Sequence, residues 1–274
     1  MSVLDLECAK CCIRLCEDAF AQGWHEANGG NLSYRLDEED IDACSASLSR
    51  EGKWTPLEHP VPSLASAHIL ITGSGKYLRN AVLTPARTFG IVELDNTGAS
   101  WRVVWGLEGA KPSSELETHL ATYETALQAG GGADRVVYHA HSPNIIALST
   151  LLPADMRVWT RTLWKVMTEG IIVFPQGIGV LPWMIPGSPE LAQATCELLK
   201  AHNVCVWTQH GVMVRAASFD EAFGLVHTVE KSAGIYLQAR ASCGGEEPSF
   251  LVSDEHLLAV CERYGIAPNE EYLG

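Results

Sequence analysis

No apolar run in the sequence approaches the roughly 20 residues needed to cross a bilayer. Its first ten residues, MSVLDLECAK, lack the basic start and apolar core of a secretory signal. Both absences lead us to expect a soluble chain with no membrane partner. Basic residues are scarce too: 19 Lys and Arg stand against 33 Asp and Glu, a formal charge of −14 at pH 7. Nucleic acid is a poor partner on that balance, because its recognition needs clustered positive charge. A small phosphorylated ligand is compatible with it, since backbone amides bind phosphate locally whatever the global charge. Such a ligand on an acidic protein calls for a concentrated positive centre, and a divalent metal supplies one. An even cysteine framework is also missing. The nine cysteines, an odd number spread from Cys8 to Cys261, read as free thiols of the reducing cytoplasm. At 274 residues the chain can bury its core without disulfide staples.

What is present alternates between two periodicities. Residues 3–21 read as an amphipathic helix, with Cys8, Cys11, Cys12 and Cys16 on one flank as small hydrophobes. A glycine-rich turn follows at 28–33, and the acidic, weakly periodic stretch 37–66 reads as a long loop or insertion. Residues 68–72 form a strand running into Gly73-Ser74-Gly75-Lys76. Strands at 89–94 and 101–105 flank a hairpin turn, Asp95-Asn96-Thr97-Gly98. A capping box of Ser114 and Glu117 opens a helix that ends at the glycines 130–132. Then come a strand at 135–141, a helix at 144–152, a short buried strand at 171–174 and a Pro/Gly-rich segment. A helix at 190–202, strands at 204–208 and 212–215, and helices at 218–240 and 254–264 complete the pattern. Strands pair through short turns without strict β-α-β alternation. The expected fold is α/β: a single domain over residues 1–274, with a mixed, mostly antiparallel sheet and helices on both faces.

The sharpest chemical signal is His139-Ala140-His141. Residues two apart on a strand share a face, about 7 Å apart at Cα, so the two imidazoles stand side by side. His210 follows a second apolar strand, in the turn before Gly211. Three histidines from distant segments fit a catalytic metal site with an open position better than a closed structural one. The same residues also describe two satisfied sheet histidines and an unrelated turn residue. Glu115, near a helix start, is either an acid favoured there by the helix dipole or a general acid/base beside the metal. Asn28-Gly29-Gly30-Asn31, Thr72-Gly73-Ser74-Gly75 and the hydroxyls and amides of Ser113 and Ser114 offer phosphate donors, although each glycine loop alone also reads as a plain turn. Gly75-Lys76 does not complete a nucleotide-binding loop, since Tyr77 stands where Ser or Thr is required.

Taken in order, NGGNLS at 28–33, TGSGK at 72–76, SSEL at 113–116, HAH at 139–141 and QHG at 209–211 resemble the class II aldolase/epimerase/adducin superfamily. The likeness covers essentially the whole chain and is greatest for a branch of ketose-1-phosphate aldolases. The proline-rich segment 173–187 and the 37–66 insertion set that branch apart from shorter aldolases and epimerases. The resemblance implies one Zn2+ per subunit on His139, His141 and His210, with Glu115 as acid/base. It implies phosphate and ketose contacts from Asn28, Gly30, Asn31, Ser74, Gly75, Ser113 and Ser114. It also implies a homotetramer in which Glu169 reaches a neighbouring subunit's site. Another phosphosugar aldolase, an epimerase or a dehydratase of the superfamily is the alternative reading.

Overall fold

The computed structural model of the chain describes residues 1–130 and 132–274. Among these, nine strands form one sheet: β1 (Asn31–Arg35), β2 (Thr55–Pro56), β3 (His68–Thr72), β4 (Phe89–Leu94), β5 (Ser100–Gly106), β6 (Val136–Ala140), β7 (Gly179–Leu181), β8 (Val204–Trp207) and β9 (Gly211–Ala216). Their spatial order is β2-β5-β4-β3-β1-β6-β9-β8-β7. Every neighbouring pair is antiparallel except β7 with β8.

Strand alternation decides the layers. Leu70, Ile91, Val136, Tyr138, Val212 and Val214 face one core, shared with α1 (Glu7–Ala21), α5 (Pro143–Leu148), α6 (Met156–Val166) and α9 (Phe219–Ser242). Ile69, Ile71, Val92, Val137 and Met213 face the other, shared with α4 (Leu116–Gln128) and α8 (Pro189–Leu198). Each fully buried Leu, Ile or Val contributes about 1.5–3 kcal/mol, so a sheet apolar on both sides holds helices on both. Cys8, Cys12 and Cys16 are buried among the apolar residues of the first core, and all nine thiols are unpaired.

Several local expectations change. Residues 37–66 carry α2 (Glu38–Cys44), capped by Asp37, whose carboxylate accepts from the Asp40 amide at 2.8 Å. The same stretch adds β2 to the sheet edge, so it is more ordered than a loop. The strand expected at 171–174 is instead α7 (Glu169–Val173). A short apolar run does not distinguish the two states. Here Gly170 lets the backbone press onto α6, where an added Cβ would lie 2.9 Å from the Leu163 carbonyl oxygen. The capping box at Ser114 does not form. Glu115 itself occupies the N-cap position of α4 without a side-chain cap bond, and a Glu117 oxygen accepts from the Glu58 amide at 3.3 Å. Gly130, just past α4, is left-handed, and Gly131 lies outside the described residues. α3 (Pro85–Thr88) and α10 (Asp254–Tyr264) are the remaining α-helices among the described residues.

Candidate active site

Period-two alternation turns His139 toward α4, and His141 follows just beyond the end of β6. His210 arrives from the turn between β8 and β9. The three rings form a near-equilateral triangle, with centroids 5.0 Å (139–141), 4.9 Å (139–210) and 5.1 Å (141–210) apart. One ligand nitrogen from each lies within 4.8 Å of the others. The turn that delivers His210 is bent at Gln209, which takes a left-handed φ of 56°. The Ser149 hydroxyl at the end of α5 holds it there, accepting the Gln209 amide at 2.8 Å.

The donor set fits a divalent metal. His139 Nδ1 donates to the Val212 carbonyl at 3.0 Å, which leaves the Nε2 lone pair buried and without a partner. His141 Nδ1 meets Glu26 Oε1 at 2.6 Å, so its Nε2 is likewise the free nitrogen. His210 keeps a buried Nδ1 that has no partner among the described residues. Burial, reinforced by the neighbouring imidazoles, holds the His139 pKa well below its usual value and lowers that of His210 to about 4. Unused lone pairs are what a metal requires of histidine, and the bonds to Val212 and Glu26 orient two of the three rings. Partial burial of Glu26 acts upward on its pKa. The His141 hydrogen bond and a backbone bond outweigh it, and the net shift is down.

Glycines allow this crowding. A Cβ at Gly29 would sit 2.7 Å from His141 Nδ1. Gly30, with φ of 72°, passes so close to the ring of His25 and the carbonyl of His139 that a Cβ would meet both under 3.0 Å. His25 holds the loop from beneath, its Nδ1 donating to the Gly29 carbonyl and its Nε2 accepting from the Tyr138 hydroxyl, each at 3.0 Å.

Glu115 lies on the α4 side of the same space, 7% exposed, with Asn31 Nδ2 donating to Oε2 at 2.9 Å. Burial raises its pKa, and the Asn31 bond works against that shift. A carboxyl so placed exchanges a proton more readily near neutral pH than an exposed one.

A cavity of about 200 Å³ is lined by Asn28, Gly30, Asn31, Ser74, Gly75, Ser113, Ser114, Glu115, His139, His141 and His210. An isolated bridge between Gly73 and Pro112 draws the second and third loops together. The amides of Ser74 and Ser113 are taken by the carbonyls of Lys111 and Thr72, at 2.9 and 2.8 Å. The expectation of a free Ser113 amide therefore does not hold, and its hydroxyl, which accepts the Glu115 amide at 3.2 Å, is its remaining donor. Gly75 takes φ of 68° with nothing within 4 Å of where a Cβ would be, an open concave turn.

Glu169, which the resemblance places at the site, is not brought to the cavity by this chain. It is exposed at the start of α7 and does not line the space. Sequence reasoning also missed Glu26. Its place in HEANGG, two residues before Asn28, puts it on a loop of the cavity, but nothing there names His141 as its partner.

Comparison with known proteins agrees with this geometry. Over 257 residues the chain is 41% identical to a rhamnulose-1-phosphate aldolase of Escherichia coli O81, covering 93% of each chain. The rhamnulose-1-phosphate aldolase of Shigella sonnei matches at the same 41% and the same coverage. A solved sugar-phosphate aldolase from Thermotoga maritima shares the fold, with a TM-score of 0.75 at 24% identity over 89% of this chain and 98% of that one. Residues 11–237, which hold every residue named above as lining the cavity, match the family described as Class II Aldolase and Adducin N-terminal domain. The chain therefore belongs to the class II aldolase and adducin family, as one of its lyases.

Proposed function

We propose that this enzyme is a zinc-dependent aldolase that reversibly cleaves L-rhamnulose 1-phosphate into dihydroxyacetone phosphate and L-lactaldehyde. The observation that carries the reading is the shared cavity: three metal-type histidines, one buried carboxyl and hydroxyl-bearing glycine loops line a single space. Identity of 41% with enzymes named for that substrate supports the choice of sugar.

Breaking the C3–C4 bond of a 2-ketose leaves negative charge beside a carbonyl. A divalent ion held by His139, His141 and His210 supplies Lewis-acid stabilisation of that charge. The chain's own residues do the rest. Ser74, Gly75, Ser113 and Ser114 grip the phosphate and, with Asn28, Gly30 and Asn31, fix the register of the ketose end. Glu115 carries the proton to and from C3. Glu169 of the partner subunit serves the aldehyde end, where the C4 hydroxyl loses its proton. Exposure of Glu169 outside its own cavity supports a homotetramer with shared sites, which solution mass tests. Nine unpaired cysteines support a cytoplasmic setting, tested by fractionation.

The test uses zinc-loaded protein and L-rhamnulose 1-phosphate, with triose phosphate followed through a coupled dehydrogenase. Chelator-sensitive release is expected, and no release from metal-loaded protein would overturn the substrate. The Glu115→Gln variant should keep its zinc and lose about 10²- to 10⁴-fold in kcat. Near-normal cleavage by that variant removes Glu115 from its role.

A further inference from the structure

Helix α4 and strand β1 meet in matched register. Glu115, His119 and Tyr123 are four residues apart along the helix, about 6 Å per step. Asn31 and Ser33 are two apart along the strand, about 6.6 Å. The two rows interlock into one file of polar atoms between apolar layers. Asn31 Nδ2 donates to Glu115 at 2.9 Å, and Asn31 Oδ1 faces His119 Nε2. His119 Nδ1 meets the Ser33 hydroxyl at 2.7 Å, and Ser33 meets the Tyr123 hydroxyl at 2.8 Å. The Tyr123 oxygen also lies 3.0 Å from the Arg135 carbonyl. His119 and Ser33 are wholly buried.

Each joint from Glu115 to Ser33 takes one hydrogen, so the file has a direction. An ionised Glu115 accepts only, which makes Asn31 turn its NH2 toward the carboxylate and its carbonyl toward His119. The joint to His119 then closes only if Nε2 carries the ring hydrogen. Nδ1 becomes an acceptor and takes the Ser33 hydrogen, and the single Tyr123 hydrogen is shared between Ser33 and the Arg135 carbonyl. The Arg135 carbonyl is not left bare, because it also accepts the Arg35 amide at 2.8 Å. Burial lowers the His119 pKa to about 3, so the ring is neutral and carries a single hydrogen. Without that ring, the Asn31 amide could turn over and set its carbonyl against the carboxylate.

We propose that His119 is a positioning residue, whose Nε2–H locks the Asn31 amide and through it aims the Glu115 carboxylate at the reacting carbon. The inference rests on the role given above to Glu115.

Three variants and one spectrum test it. His119→Phe should lower kcat about 10- to 100-fold, the usual cost of removing a partner that orients a catalytic group. Bound zinc should stay within about twofold, since no histidine of the trio is altered, and the loss should fall on kcat more than on KM for L-rhamnulose 1-phosphate. His119→Gln, whose amide N–H reaches the place of Nε2, should recover most of the lost kcat. If the phenylalanine variant does not fold, Ser33→Ala serves in its place, with a kcat loss of several-fold because Nδ1 loses its donor. In 15N spectra of histidine-labelled protein, the resonance absent from His119→Gln should report the Nε2–H tautomer. An Nδ1–H tautomer, unchanged kcat in His119→Phe and Ser33→Ala, or a loss confined to KM or zinc content would overturn the proposal. Failure of the two readings is distinguishable. If Glu115→Gln cleaves normally, the role of Glu115 falls and the relay with it. If Glu115→Gln is inactive while His119→Phe is normal, only the relay falls.

Discussion

His139, His141 and His210 bring their ligand atoms within 4.8 Å of one another, and so do Glu58, His59 and Glu117. The two trios differ in everything except that proximity. His139 is buried, His141 and His210 half-buried, and the first two have their second nitrogen engaged by Val212 and Glu26. Glu58 and His59 are exposed on the connection after β2, while Glu117 rides on the first turn of α4 with one oxygen on the Glu58 amide. Holding solvated side chains in one geometry costs rotamer entropy that the ion itself would have to offset. Orientation imposed beforehand, rather than closeness, separates a metal centre from a chance gathering.

The largest effect should come from striking each trio in turn. His141→Ala is expected to strip the bound zinc and lower cleavage by roughly 10³-fold or more. His59→Ala is expected to leave both unchanged. Metal content by mass spectrometry alongside the coupled assay reads this pair, and zinc lost from the His59 variant would break the contrast. A smaller effect should follow from Glu26→Gln, which leaves all three ligands in place and weakens only the orientation of His141. Zinc affinity is expected to fall about 10- to 100-fold in a competition titration. An unchanged affinity would mean that the ring is held by packing alone.

An effect on stability alone, with no change in the site's chemistry, concerns acid and the metal-free protein. Burial depresses the pKa of His25 to about 4 and that of His119 to about 3. In the unfolded chain both titrate near their ordinary value, so below it the unfolded state binds more protons. Stability is therefore full above the unfolded value and falls as pH drops toward the folded values, by roughly 2 kcal/mol per histidine at pH 5. The urea midpoint should move down between pH 7 and pH 5. A midpoint that does not move would show that these rings are open to water.

Much of the metal corner was legible because its spacing is local. His139 and His141 lie two apart across the end of β6, and His210 stands in the turn after the plainly apolar strand β8. The sheet and its two cores were legible for the same reason. Relations across long separations were not. His119 meets Asn31 88 positions away, and Glu26 meets His141 across 115, and nothing in either local sequence names the partner. The capping motif at Ser114 misled because tertiary demand won: the Glu115 carboxylate turns toward Asn31. The apolar run 171–174 misled because length and polarity were the same for either state, and Gly170 decided between them by fitting against α6.

Those long separations also have a consequence in time. The contacts that fix the site join residues 115 apart (Glu26 to His141), 84 apart (Asn31 to Glu115) and 73 apart (His139 to Val212). Loops of that span close late, after the chain has lost the entropy of bringing distant segments together. A nascent chain leaving the ribosome lacks the full candidate metal site until Val212 has emerged. A protease cut anywhere between Asn31 and His210 divides the centre between two pieces, neither of which holds all of its parts.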